Sequence, residues 1–128
     1  MTKLSIGILA AVAALAVALA AAPAGIAKDG DVRVRGTCTK SSTSKLKLSE
    51  EDGRIEVEFE VDQNRNGVRW NVLVLQNGRR VARMTRVTRA PSGSFEARIV
   101  APDTSGADTF RARATSPSGE VCSARASF

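Results

Sequence analysis

Apolar and polar residues alternate along most of the chain after its first thirty positions. Ile55, Val57, Phe59 and Val61 alternate with Glu56, Glu58, Glu60 and Asp62. This period of two predicts a strand with one buried face and one acidic face. The segment VRWNVLVLQ puts Trp70, Val72 and Val74 on one side and Arg69, Asn71, Leu73 and Leu75 on the other. Both sides are partly apolar, so the pattern predicts an interior strand with Trp70 as a core anchor. Leu73 and Leu75 then either form an exposed apolar patch or lie under a neighbouring strand. From Arg79 to Arg89 the alternation is irregular: Val81, Met84 and Val87 recur every third residue, which predicts a bulge. Phe95, Ala97, Ile99 and Ala101 form a further strand, Phe110, Ala112 and Ala114 another, and Cys122, Ala124, Ala126 and Phe128 a last one. Val32, Val34, Gly36 and Cys38 read as one opening strand, followed by a strand carrying Leu46 and Leu48.

Turn signals separate these segments. Asn77-Gly78 is a hairpin dipeptide, because both residues accept positive φ. Pro91-Ser92-Gly93, Pro117-Ser118-Gly119 and the loop Pro102–Ala107 are further breaks. About seven to eight short antiparallel strands and no helical stretch predict an all-β sandwich. A turn at Glu51-Asp52-Gly53 would set Leu48 opposite Ile55, Lys47 opposite Glu56 and Lys45 opposite Glu58, a ladder of unlike charges.

The start of the chain follows a different rule. Lys3 precedes an uncharged, almost wholly apolar run, Leu4 to Ala22; Pro23 then breaks it, and Gly25-Ile26-Ala27 has the small-x-small form of a cleavage site. The expectation is a signal peptide over residues 1–27 and one domain over residues 28–128, secreted, with no membrane contact after cleavage. An uncleaved run would instead anchor the protein in a membrane. The chain of 128 residues carries a net charge of +6 and two cysteines, Cys38 and Cys122. A single cysteine pair on an exported small domain predicts one disulfide.

Cys38, Trp70 on an interior strand and Cys122, together with the run WNVLVLQNGRRV, resemble an immunoglobulin-like or fibronectin-III-like sandwich. The segments RAPSGSFEARI and TFRARATSPSGEVCSARASF are similar to the closing strands of small secreted proteins of high-GC bacteria. That resemblance implies an immunoglobulin-like β-sandwich and brings no assigned activity. In antibody domains the first cysteine lies shortly before the tryptophan and the second before the last strand; here Cys38 is far upstream and Cys122 is on the last strand.

Candidate chemistry is sparse. The chain has no His and no Tyr, which removes imidazole from proton transfer, nucleophile activation and zinc ligation. No acid–base pair can be drawn, so the expectation is a protein that is not an enzyme and uses no cofactor. The stretch Asp62-Gln63-Asn64-Arg65-Asn66-Gly67 opens like a calcium loop, with Asp62, Asn64 and Asn66 as the candidate ligands. Position twelve of such a loop would be Leu73, which cannot ligate. Glu60, or an acid from another loop such as Asp103 or Asp108, would have to complete the set. The competing reading is a tight turn, with Asn66-Gly67 in left-handed conformation and Asp62 and Asn64 bonding local backbone. The favoured expectation is therefore no metal.

Arginines supply the other signal. Arg80, Arg83 and Arg86 lie in one strand with Arg79 and Arg89, and Arg111 and Arg113 in another. Together they would form a cationic patch for an anionic envelope polymer. The alternative is solubilising surface charge. Nucleic acid is not expected, since the few aromatic residues read as core. The partner is an unknown protein or such a polymer. A further alternative is an inhibitor that inserts Gln63–Gly67 and Pro102–Ala107 into an extracellular hydrolase.

Overall fold

The computed structural model describes residues 30–128; the expected signal peptide over residues 1–27 lies outside the described residues. The strands are β1 (Val32–Arg35), β2 (Thr37–Cys38), β3 (Thr43–Glu51), β4 (Arg54–Asp62), β5 (Arg69–Gln76), β6 (Arg79–Val87), β7 (Ser94–Pro102), β8 (Thr109–Thr115) and β9 (Val121–Ser127). They form two antiparallel sheets, one in the order β1-β3-β4-β7 and one in the order β2-β9-β8-β5-β6. The expected all-β sandwich is what the chain forms, and β5 is interior, between β8 and β6.

The opening strand is split, contrary to the single strand expected. At Gly36 the chain leaves the four-stranded sheet and joins the other. A Cβ at that position would sit 2.2 Å from Ser44 Oγ and 2.6 Å from the Ser123 carbonyl oxygen. The crossing therefore needs a residue without a side chain. Beyond it, Cys38 lies directly opposite Cys122, and the two form the disulfide, with Cα atoms 4.0 Å apart. The bridge joins neighbouring strands of one sheet and does not run between sheets.

The core follows the alternation. Leu46, Leu48, Ile55, Val57, Phe59 and Val61 project from the four-stranded sheet toward Trp70, Val72, Val74 and Phe110. On β8 and β9 the inward positions are Ala112, Ala114, Cys122, Ala124 and Ala126. Small residues on one sheet leave room for large ones on the other, which fills the interior without overpacking. Trp70 is fully buried and packs on Phe95 with ring centroids 5.9 Å apart.

The β3–β4 register differs from expectation by two residues. Leu48 faces Val57, Lys47 faces Glu58 and Lys45 faces Glu60. The cause is the turn. Only Asp52 and Gly53 lie in the loop, at φ 49° and 76°, and Glu51 already pairs with Arg54. A two-residue loop with both residues left-handed is the tight hairpin connection, one residue later in the chain than a turn begun at Glu51. Faces are preserved, so the ladder of unlike charges survives with new partners: Lys45–Glu60 at 3.6 Å and Lys47–Glu58 at 3.7 Å.

The bulge expected in β6 is present. Val74 pairs with Ala82 and Leu75 with Arg80, leaving Val81 unpaired and exposed. The three apolar residues that signalled it do not share a face. Ala82 and Met84 oppose inward-facing Val74 and Val72, whereas Val87 opposes outward-facing Arg69.

Candidate anion-binding face

The two outer faces of the sandwich carry very different charge. On the four-stranded sheet the outward positions hold Arg33, Arg35, Lys45, Lys47, Arg54 and Arg98 against Glu51, Glu56, Glu58, Glu60, Asp62 and Glu96. These cancel, and many are paired. Arg98 donates to Glu51 and Glu56, each at 2.7 Å. The Arg98 guanidinium, with the acid forms of Glu58 and Glu51, holds the Glu56 carboxyl down to about 2. Sharing a proton with Glu56, and burial, raise Glu58 and Glu51 in turn. This face balances its own charge, although Glu60 directly opposes Glu96 on β7.

Among the described residues the outward face of the five-stranded sheet holds no acid. Across the sheet, one row reads Arg80, Leu75, Arg111, Arg125, and the next reads Arg83, Leu73, Arg113, Ser123. Arg69 lies on the same face further along β5. Among the described residues none of these six arginines makes an ion pair with a carboxylate, unlike Arg33 and Arg98 on the other sheet. Arg111 and Arg125 are directly opposed on neighbouring strands, an arrangement that costs stability when the charges are alike. Leu73 and Leu75 are half-buried while the arginines beside them are exposed. The apolar pair is therefore recessed. It forms the floor of a groove of about 590 Å³ that spans β6, β5 and β8 and of a second of about 270 Å³ that reaches β9.

Of the arginines singled out from sequence, Arg80, Arg83, Arg111 and Arg113 converge on this face and Arg86 does not. Arg86 pairs with Trp70 and so takes the inward side of β6. It lines a separate recess with Glu60, Phe95 and Glu96 at the open edge between the sheets. The physical reason is parity. The bulged Val81 lets Arg80 and Arg83 share a face, and no second bulge does the same for Arg86. Arg69 and Arg125 were missed from sequence, although Arg69 shares the parity of Leu73 and Leu75.

The stretch Asp62–Gly67 is a bridge between sheets, since β4 pairs with β3 and β7 while β5 pairs with β6 and β8. Asp62 Oδ1 accepts the Asn64 N–H at 3.0 Å, the local bond expected of a turn. The left-handed residues are Asn64 and Gly67, not Asn66 and Gly67. Gln63 accepts Trp70 Nε1–H at 3.1 Å, and its own N–H donates to the Gly93 carbonyl at 3.0 Å. Gly67 N–H donates to Thr88 O, and Thr88 Oγ1 accepts the Val68 N–H. Each bond holds the crossing against a neighbour. Among the described residues no three acids or cysteines cluster at metal-binding distance. Asp103 and Asp108 lie beyond the Pro102 end of β7, whereas Asp62 faces Ser94 at the other end. Eight residues of strand, roughly 26 Å, separate those ends, so neither acid can complete a site around Asp62. The same distance separates Gln63–Gly67 from Pro102–Ala107, so the two loops cannot enter one enzyme cleft together.

Asp108 closes the far end of the sandwich. It is fully buried and accepts from Gln76 at 3.1 Å, Asn77 at 2.9 Å, the Thr104 N–H at 2.9 Å and the Thr104 hydroxyl. Burial pushes its carboxyl up, but the bonds from Thr104, Asn77 and Gln76 outweigh that and hold it below the usual value. A depressed carboxylate stabilises the fold above the unfolded value, about 3.9, and that contribution is lost as pH falls through the folded one. Asp108→Asn is expected to cost about 2–4 kcal/mol at pH 7, because an amide would aim a donor at donors. Urea unfolding across pH should show the gap between wild type and variant shrinking below pH about 4.

No family model matches the chain, and a search of curated proteins finds no match. No helix among the described residues is long and apolar enough to cross a membrane.

Proposed function

We propose that this is a secreted, non-enzymatic binding protein that holds an anionic envelope polymer on the outer face of its five-stranded sheet. The carrying observation is the set of six arginines with no acid among the described residues of that face, including the directly opposed Arg111 and Arg125. A fold optimised only for stability would place an acid beside such a pair, as the opposite sheet does around Lys45 and Lys47. An anionic ligand removes the repulsion when it binds, so binding is stronger by the repulsion relieved. Guanidinium groups also suit phosphate and carboxylate oxygens, which they engage in pairs. The disulfide supports an oxidising compartment, in keeping with the expected leader. The strand orders, with Trp70 on β5, support the immunoglobulin-like or fibronectin-III-like classification.

The test compares two variants of equal net charge on immobilised polyphosphate. Arg111→Ser/Arg113→Ser removes two cations from the proposed face, and Arg35→Ser/Arg54→Ser removes two from the ladder face. The first is expected to elute at clearly lower salt than wild type and the second close to it. Equal elution of the two variants would make the charge asymmetry irrelevant to binding and end this reading.

A further inference from the structure

We infer that the ligand of this face is a slender, unbranched phosphodiester chain with short polyol linkers, lying along β5 on the floor made by Leu73 and Leu75. This rests on the proposed function and specifies the chemistry of its ligand.

Three features point to it. First, the cations form two lines, Arg80 with Arg83 on β6 and Arg111 with Arg113 on β8, and β5 runs between them. Neighbouring strands are about 4.8 Å apart, so the lines stand roughly 9–10 Å apart at the backbone. The two free oxygens of each phosphodiester in a thin chain point to opposite sides, so every unit meets both lines; a wide or branched polymer meets only their tips. Second, Arg111 and Arg113 are two residues apart, which sets a cation repeat of about 6.7 Å along the strand. A phosphodiester joined through a short polyol has a repeat of about that length when extended. Third, the floor is apolar and recessed. The carbon atoms of a linker can rest on Leu73 and Leu75, while a flat bilayer would touch the arginines and leave the leucines uncovered. The face also carries no aromatic side chain, so nucleic acid bases would find no stacking platform.

The leucines separate this proposal from general electrostatics, because changing them leaves the charge intact. Leu73→Thr/Leu75→Thr keeps strand preference, and circular dichroism and thermal unfolding verify its fold. Binding is measured by calorimetry with a synthetic poly(glycerol phosphate) oligomer and with inorganic polyphosphate of equal charge. The leucine variant is expected to bind the glycerol phosphate oligomer about tenfold more weakly and polyphosphate as wild type does. Arg111→Ser/Arg113→Ser is expected to weaken both. Unchanged binding of the oligomer by the leucine variant overturns the groove while leaving the charged face standing. Binding of anionic phospholipid vesicles or of single-stranded DNA as tight as that of the oligomer also overturns it, in favour of a surface or nucleic acid ligand. Loss of neither ligand in the arginine variant means the face itself was misassigned.

Discussion

Reduction of the Cys38–Cys122 bridge is expected to remove about 4–5 kcal/mol of stability. The two cysteines are separated by 84 residues, and the chain-entropy model gives roughly that value for a loop so long. A domain of this size has about 5–15 kcal/mol in total, so the reduced protein should be only marginally folded. The folded state itself should change little. Thr39 N–H still donates to Val121 O at 2.9 Å, and Val121 N–H to Thr39 Oγ1 at 2.9 Å. Glu120 still accepts from the Lys40 and Ser42 N–H groups. The bridge acts chiefly on the unfolded chain, which it prevents from expanding. Guanidinium unfolding of reduced and oxidised protein, followed by the fluorescence of the single tryptophan, should therefore show a lower midpoint and a steeper denaturant dependence after reduction. A loss below about 1 kcal/mol would mean that burial between the sheets, not the cross-link, sustains the sandwich.

Parity was the part of this structure legible in sequence, and it carried further than the strands themselves. Glu120 lies two residues before inward Cys122, Asp108 two before Phe110, Gln76 two after Val74, and Ser44 two before Leu46. All four are buried. Alternation thus runs to the ends of β3 and β5 and one residue beyond the starts of β8 and β9, and the polar residues it turns inward close the two open ends of the sandwich. Glu120 shows how: its carboxylate takes two backbone N–H groups and the Ser42 hydroxyl from the β2–β3 connection. Composition suggests that an isolated Glu faces water, and parity alone says otherwise. What parity cannot give is adjacency. Leu73 and Leu75 share a face with Arg111 and Arg113 only because β5 pairs with β8 across some forty residues of chain. Arg86 shares a strand with Arg80 and Arg83 but takes the inward side, since that strand has one bulge and not two. The Asp62–Gly67 stretch failed in the same way. It has the composition of a hairpin turn, but its flanking strands belong to different sheets, so its bonds go to Gly93, Thr88 and Trp70.

That crossing makes Gly93→Ala the most damaging single substitution expected outside the core. Gly93 adopts φ 67°, where an alanine costs roughly 1–2 kcal/mol. The added Cβ would also sit 2.2 Å from Arg65 N and 2.7 Å from Asn64 C. Those are backbone atoms and cannot swing away as a side-chain tip would. The crossing must move as a unit. Its movement strains the bond from Gln63 N–H to the Gly93 carbonyl and, through Gln63, the bond that satisfies buried Trp70 Nε1. A lost bond to a buried donor costs about 1–3 kcal/mol, so the sum is about 2–5 kcal/mol. Gly78→Ala separates the two causes. Gly78 has φ 80° with nothing within 4 Å of the added atom, so it should lose only the conformational part, about 1–2 kcal/mol. Thermal unfolding of both variants would measure the difference, and tryptophan emission would shift only for Gly93→Ala, which displaces the Gln63 bonded to the indole. If the two variants lose equal stability, the crossing is not clamped by Gly93 and yields to the methyl group at no cost.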